Sequence, residues 1–261
     1  RGDDTEGFLQ ATEVIANRTV AVVENRLSGR RFVGRASYFS FRDRLFLITA
    51  GHNLNGISSA DQLQVVLPKR TTRVSVLGFN ASLDGQDYPD VAWIEVDPGV
   101  LGYSDFSATT LENFRLGASH DPARAIQCQG FPDSEILTLE GGSESFCSVA
   151  IGTYSQPPVD GEGTIADTYL IEYPPHDLLF GERAPEAGGI SGGGVWMLEP
   201  PPRSGVGWNT SRVHMVAIPR SKSEKRSNCI RCTPVRRWFE FFDSEFEEFR
   251  DELEACLWTR G

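Results

Sequence analysis

The chain is predicted to be all-β, with one amphipathic helix at its C-terminal end. Short apolar or alternating segments recur along most of it, and Gly, Pro, Asp and Asn separate them. Strands at this spacing are typical of barrels or of a sandwich, and few helices are expected among them. The predicted strands are Thr19–Glu24, Arg44–Ala50, Gln62–Pro68, Arg73–Phe79, Val91–Val96, Arg124–Phe131, Glu135–Gly141, Phe146–Tyr154, Thr168–Tyr173, Gly194–Leu198 and Val213–Ile218.

These strands fall into two groups along the chain. One group occupies about residues 15–100 and the other about 120–220, and the segment between them shows little strand pattern. A chain of 261 residues is long enough for two such units. We therefore expect an N-terminal β domain at 1–118, a second β domain at 119–232 and a helix at 233–261 that packs on them.

The C-terminal segment has helical periodicity. Thr233 is expected to be the N-cap and Pro234 the first helical residue. Phe239 and Phe241 add apolar area beside a stripe of apolar residues that recur every three or four positions. The stripe consists of Trp238, Phe242, Phe246, Phe249, Leu253 and Leu257. It is expected to pack on the rest of the chain, and contact with a partner protein is the alternative.

Composition argues against several classes of function. The net charge of −11 disfavours nucleic-acid binding, and the basic residues between Lys222 and Arg237 are interpreted as a solvated loop. Five irregularly spaced cysteines do not resemble a secreted disulfide framework. The CxxC at Cys229 and Cys232 lacks the second pair of a zinc site, and redox use is its alternative. No membrane span or signal peptide is recognisable. We expect no metal or other cofactor, no nucleic-acid or membrane partner, and a cytoplasmic location.

The segment ISGGGVW (Ile190–Trp196) places Ser191 among glycines on both sides. A serine hydroxyl becomes an effective nucleophile only when a base accepts its proton and a third group orients that base. Glycines permit a sharp turn that directs backbone N–H groups at a developing oxyanion. Ser191 is therefore a candidate nucleophile, and it requires a histidine and an aspartate from elsewhere in the chain.

One histidine stands out by its position. His52 follows the apolar strand Arg44–Ala50 and is flanked by small residues, so that a rigid element would hold it. The other three lie in loop-like segments or at the start of a strand: His120, His176 and His214. A histidine at a strand end has a purely structural role in most proteins, and both roles remain open for His52 on position alone.

Three segments resemble the catalytic motifs of trypsin-like serine peptidases, which have the chymotrypsin fold. TAGH (Thr49–His52) resembles the T-A-A-H segment of the general base. PDVAWIEV (Pro89–Val96) resembles the segment whose aspartate orients the histidine, and GGISGGG (Gly188–Gly194) resembles the nucleophile turn. The order His, Asp, Ser is also that of the family. QGFP (Gln129–Pro132) resembles a segment of bacterial members.

This resemblance implies two six-stranded antiparallel β-barrels, the first carrying His52 and Asp90 and the second carrying Ser191. It implies that His52 is the general base, that Asp90 orients it and that Ser191 forms an acyl-enzyme during hydrolysis of peptide bonds. The backbone N–H groups of Gly189 and Ser191 would form the oxyanion hole. Asp87 is a rival for the role of Asp90, although no apolar strand follows it directly.

Departures from the family pattern concern activation. Ile190 stands where digestive and clotting members have an aspartate that pairs with a newly cut N-terminus. The chain therefore resembles the intracellular, HtrA-like bacterial branch. We expect a latent enzyme that a protein partner or a further domain activates. The alternative is a protease-like scaffold that binds peptides or proteins and hydrolyses nothing.

Other departures concern specificity. Pro185 stands where cleavage after Lys or Arg requires an acidic residue, and Glu186 lies next to it. Pro219, Arg220 and Lys222 occupy the strand that would pair with substrate, where a glycine is usual in the family. The basic side chains of Arg220 and Lys222 would narrow the substrate pocket or favour substrates with acidic side chains.

Overall fold

The structure is a computed structural model, and it describes most of the chain. The described residues are 2–27, 29–67, 73–83, 89–99, 108–117, 126–130, 136–138, 144–146, 149–153, 155–156, 168–173, 189–199 and 210–255. Within them the chain is mostly β, as predicted, with helices near both ends. No helix in this part of the chain has the length and apolar character that crossing a membrane requires.

Six antiparallel strands close into a barrel in the order β1-β2-β3-β6-β5-β4. They are β1 (Thr19–Arg26), β2 (Gly29–Phe41), β3 (Arg44–Thr49), β4 (Leu63–Val66), β5 (Arg73–Ser82) and β6 (Val91–Val96). Alternate residues point inwards because side chains of a strand alternate between its faces. Leu45 and Leu47 of β3 and Ala92 and Ile94 of β6 therefore share the barrel interior.

The second unit is an open sheet in the order β10-β7-β13-β14-β15-β12-β11, as far as the described residues show it. Its strands are β7 (Ile126–Gly130), β10 (Val149–Thr153), β11 (Ser155–Gln156), β12 (Tyr169–Glu172), β13 (Val195–Leu198), β14 (Val213–Lys222) and β15 (Cys229–Pro234). A separate two-stranded sheet pairs β8 (Ile136–Thr138) with β9 (Glu144–Phe146). The described strands do not show a second closed barrel.

Three of the longer elements were absent from the sequence prediction. Helix α1 (Gly2–Ala16) buries Ala11 and Ile15, four residues apart on one face. Strand β2 buries residues on both faces and carries several arginines, so its sequence does not alternate between apolar and polar residues. Strand β15 runs through part of the segment interpreted as a loop and buries the side chains of Cys229 and Cys232.

The C-terminal helix is interrupted, which corrects the prediction of one continuous helix. Helix α2 (Val235–Glu245) ends at Glu245, and its C-cap residue Phe246 has φ at −127° and ψ at 68°. A 3₁₀ turn (Glu247–Phe249) then leads into α3 (Arg250–Leu253). The predicted cap is also wrong, because Thr233 still belongs to β15 and Pro234 caps the helix. Leu257 lies outside the described residues.

The basic residues near the end of the chain do not form one solvated loop, which corrects that interpretation. Lys222 ends β14, Arg231 lies within β15, and Arg236 and Arg237 lie in α2. The last two each form an ion pair with Glu240 of the same helix. Only Lys225 and Arg226 lie in a loop, between β14 and β15, and the other four charges are distributed over three elements.

The described residues of the apolar stripe, from Trp238 to Leu253, lie in the largest core cluster. Phe39 of β2 is central, with edge-to-face contacts to Phe114, Trp238 and Phe239 at centroid distances of 5.4, 5.8 and 5.6 Å. The same cluster includes Trp196 of β13 and further residues of β14. The stripe thus packs against both the first barrel and the second sheet.

Candidate active site

His52 and Asp90 are joined by two hydrogen bonds. The apolar strand β3 ends at Thr49, and His52 lies on the 3₁₀ turn Gly51–Leu54 that follows. The backbone N–H of His52 donates to Asp90 Oδ1 at 2.7 Å, and the ring Nδ1 lies 2.8 Å from Asp90 Oδ2. A carboxylate at Nδ1 favours the tautomer with its proton on Nδ1, which leaves Nε2 as an acceptor. The Asp90 side chain is 6% exposed and that of His52 is 43% exposed, so the ring is open to solvent.

The backbone of Asp90 is in the left-handed region, with φ at +38°. Such a conformation is uncommon outside glycine and persists when its surroundings hold it. Thr233 Oγ1 donates to the carbonyl of Pro89 at 3.2 Å, and Trp238 Nε1 donates to the carbonyl of Ala92 at 2.7 Å. The C-terminal segment therefore holds the chain on both sides of Asp90.

If Asp90 orients His52 as a base for Ser191, substituting Trp238 with phenylalanine is expected to slow the reaction of Ser191 with a fluorophosphonate about 10-fold, because small displacements of such a group are costly. The change removes the N–H group that fixes Ala92 and keeps an aromatic ring in the core. Trp93→Phe is the matched control, since the described residues offer no hydrogen-bond partner to Trp93 Nε1. Equal rates for the two variants would contradict the expectation.

The Ser191 turn depends on two glycines in the left-handed region. Gly189 has φ at +77° and Gly192 has φ at +82°. The N–H of Gly192 donates to the carbonyl of Pro219 at 2.9 Å, and that of Gly193 donates to the carbonyl of Ile190 at 3.3 Å. A side chain at Gly192 would overlap atoms of the first barrel. The turn is therefore packed directly against the barrel that carries His52.

The hydroxyl of Ser191 forms its hydrogen bond with strand β14. Ser191 Oγ donates to the backbone carbonyl of Arg220 at 3.0 Å, and no hydrogen bond joins Ser191 to His52 among the described residues. Of the three predicted catalytic residues, the structure thus links His52 to Asp90 and holds the Ser191 hydroxyl on strand β14. A side chain with one staggered torsion can change partner by rotation about that bond.

The predicted oxyanion donors have no competing partner in the part of the chain that the structure describes. Neither the N–H of Gly189 nor that of Ser191 donates a hydrogen bond there. A turn whose N–H groups are unused can stabilise the oxygen that acquires charge in acyl transfer. This arrangement is compatible with the predicted role of both residues.

The predicted specificity residues have different environments. Arg220 lies at a bulge of β14, is buried, and approaches Thr168 Oγ1 with its guanidinium at 3.5 Å. Lys222 is exposed at the end of the same strand. The carbonyl of Pro219 accepts a hydrogen bond from the N–H of Gly192. Pro185, Glu186 and the rival aspartate Asp87 lie outside the described residues.

The remaining histidines are not part of this site as far as the structure describes them. His214 is buried on β14, with Nε2 3.5 Å from Glu199 Oε1. Burial is the largest cause that lowers the pKa of His214, and the nearby positive charge of Arg115 lowers it further. His120 and His176 lie outside the described residues. Within those residues no three His, Cys, Asp or Glu side chains converge to hold a metal ion.

Neither a protein-family model nor a curated protein sequence matches this chain. The interpretation of the site therefore depends on its own geometry and on the three short motifs. Sequence reasoning missed Asn53, Thr233 and Trp238, which hold the site through contacts between distant parts of the chain. No local sequence signal identifies such contacts.

Proposed function

We propose that the chain is a serine endopeptidase that hydrolyses peptide bonds through His52, Asp90 and Ser191. The observation that supports this most strongly is the pair of hydrogen bonds from Asp90 to His52, next to a glycine turn that carries a serine. The proposal includes membership of the trypsin-like peptidases with their double-barrel architecture, in which the second sheet would belong to a second barrel. It requires no metal or other cofactor.

The reaction would proceed in two stages. His52 Nε2 accepts the proton of Ser191 Oγ while the oxygen attacks the scissile carbonyl, and Asp90 stabilises the imidazolium. The N–H groups of Gly189 and Ser191 bind the oxyanion. The C–N bond then breaks as His52 returns the proton to the departing amine, which leaves an acyl-enzyme. Water activated by His52 hydrolyses that ester and restores Ser191.

The hydrogen bond from Ser191 Oγ to the Arg220 carbonyl supports latency. In this state the hydroxyl is used by the chain itself, so it must rotate towards His52 before it can be deprotonated. Binding of a protein substrate, or of an activating partner or a further domain, would supply that change. A cytoplasmic enzyme of this kind would require such control, and that location is part of the proposal.

The alternative is a protease-like scaffold that binds peptides or proteins without hydrolysing them. The same bond from Ser191 to Arg220 favours it, because a permanently engaged hydroxyl would not attack. The two functions differ in whether Ser191 ever becomes nucleophilic. Covalent labelling separates them directly.

A fluorophosphonate probe is expected to label the parent chain but not the Ser191→Ala or His52→Ala variants. Removing the nucleophile eliminates the reaction, and removing the base costs several powers of ten in rate. Ser221→Ala is the matched control, since Ser221 is an exposed serine on β14 and should label like the parent. Labelling is measured with and without an unfolded protein substrate. Absence of labelling under both conditions would contradict the proposed enzyme and favour the scaffold.

A further inference from the structure

Asn53 follows His52 on the same 3₁₀ turn, and its side chain reaches the Ser191 turn. Its amide Nδ2 donates to Thr49 Oγ1 at 3.0 Å and to the backbone carbonyl of Ser191 at 3.1 Å. Asn53 is 6% exposed, so water competes little for these bonds. One buried amide thus connects the segment that carries the candidate base to the segment that carries the candidate nucleophile.

Two glycines leave room for the side-chain amide of Asn53. A Cβ atom at Gly34 of β2 would overlap the Asn53 side chain, and one at Gly192 would overlap both Asn53 Nδ2 and Thr49 Oγ1. The backbone of β2 and the Ser191 turn therefore approach the Asn53 amide from two directions. A larger residue at either glycine would displace the amide or the turn.

The carbonyl of Ser191 is held by a second donor from the first barrel. The backbone N–H of Arg35 donates to it at 3.3 Å, and the carbonyl of Arg35 accepts the hydroxyl proton of Thr49. Thr49, Asn53 and Arg35 thus form a closed set of hydrogen bonds around one peptide group. On the other side of that peptide, the Gly192 N–H is fixed by Pro219.

We infer that Asn53 is a positioning residue that fixes the Ser191 peptide, and with it the direction of the Ser191 side chain, relative to His52. Asn53 touches neither substrate nor reacting atoms and acts through the carbonyl of Ser191. Its effect on the reaction rate rests on the proposed function, whereas its effect on the geometry of the turn does not.

Asn53→Asp tests the inference because aspartate has nearly the same shape and replaces the donor with an oxygen. Two oxygens would then face each other, and the fluorophosphonate labelling rate should fall about 10- to 100-fold. Asn55→Asp is the matched control, since Asn55 is exposed at the end of the same turn. This substitution adds the same negative charge as Asn53→Asp. It should label at the parent rate.

The pH dependence of the labelling rate distinguishes a positioning role of Asn53 from a general structural role. A protonated carboxyl group can donate a hydrogen bond where a carboxylate cannot. Burial opposite a carbonyl oxygen also favours the protonated form. The labelling rate of Asn53→Asp divided by that of the parent should therefore rise as the pH falls, whereas the same ratio for Asn55→Asp should stay constant. A constant ratio for Asn53→Asp would contradict donation by residue 53.

Hydrogen exchange at the backbone tests the geometry without any activity. In Asn53→Asp the amides of Arg35 and Gly192 should exchange at least 10-fold faster, while those of β3 and β6 keep parent rates. If the parent does not label but these amides respond, the proposed function fails and the role of Asn53 stands. Unchanged exchange in Asn53→Asp overturns the inference. Should that variant fail to fold, Asn53→Ala, which fits the same space, replaces it with the same exchange readout.

Discussion

Asp90→Asn is expected to lower the rate of Ser191 labelling about 10⁴-fold without unfolding the chain. The asparagine oxygen would accept the backbone N–H of His52, which Asp90 Oδ1 now accepts at 2.7 Å. The amide nitrogen would then face the ring Nδ1. That nitrogen can only donate, so His52 would carry its proton on Nε2 and could not accept the proton of Ser191. The rate is measured with a fluorophosphonate at neutral pH.

The backbone at position 90 makes this substitution informative. Asparagine and aspartate both tolerate a positive φ, so that the +38° conformation should persist in the variant. Asp97→Asn provides the control, because Asp97 is exposed just after β6. A rate for Asp90→Asn within a few-fold of the Asp97→Asn rate would show that Asp90 does not orient His52.

Phe242→Ala is expected to lower the free energy of unfolding by about 3–5 kcal/mol. Phe242 is fully buried, and its ring centroid lies 4.9 Å from Phe46 of the first barrel and 4.8 Å from Trp238 of α2. Truncation would leave a cavity between helix α2 and the barrel. Urea unfolding followed by tryptophan fluorescence measures the change.

Leu77→Ala is the control for that loss, since Leu77 is 57% exposed. It should change the free energy of unfolding by less than about 0.5 kcal/mol. Helix α2 also carries Trp238, which donates to Ala92, so Phe242→Ala should slow labelling as well as destabilise the chain. Equal unfolding midpoints for Phe242→Ala and Leu77→Ala would contradict a core role for the C-terminal helix.

The first barrel was predictable where its strands carry a clear pattern. Strands β3 and β6 are apolar runs next to turn residues, and both were predicted. Strand β2 was missed because it buries residues on both faces and carries arginines, so its sequence shows no simple alternation. Helix α1 was missed because its sequence shows only a weak apolar face.

The residues of the candidate site were predictable only where a short, continuous sequence motif contains them. The segments around His52, Asp90 and Ser191 are each a few residues long and were recognised by resemblance. Asn53 and Trp238 act through residues 138 and 146 positions away, respectively. Such contacts depend on the packing of separate strands, which one sequence does not reveal. The bond from Ser191 to Arg220 has the same origin, because it joins the Ser191 turn to a strand that lies far from it in the sequence.

The residue that reacts with a fluorophosphonate can be identified directly. The parent chain and His52→Ala are treated with a fluorophosphonate, digested, and analysed by peptide mass spectrometry. We expect an adduct on Ser191 in the parent and none at that position in His52→Ala. An adduct on another residue, or one on Ser191 that persists without His52, would contradict activation of Ser191 by His52.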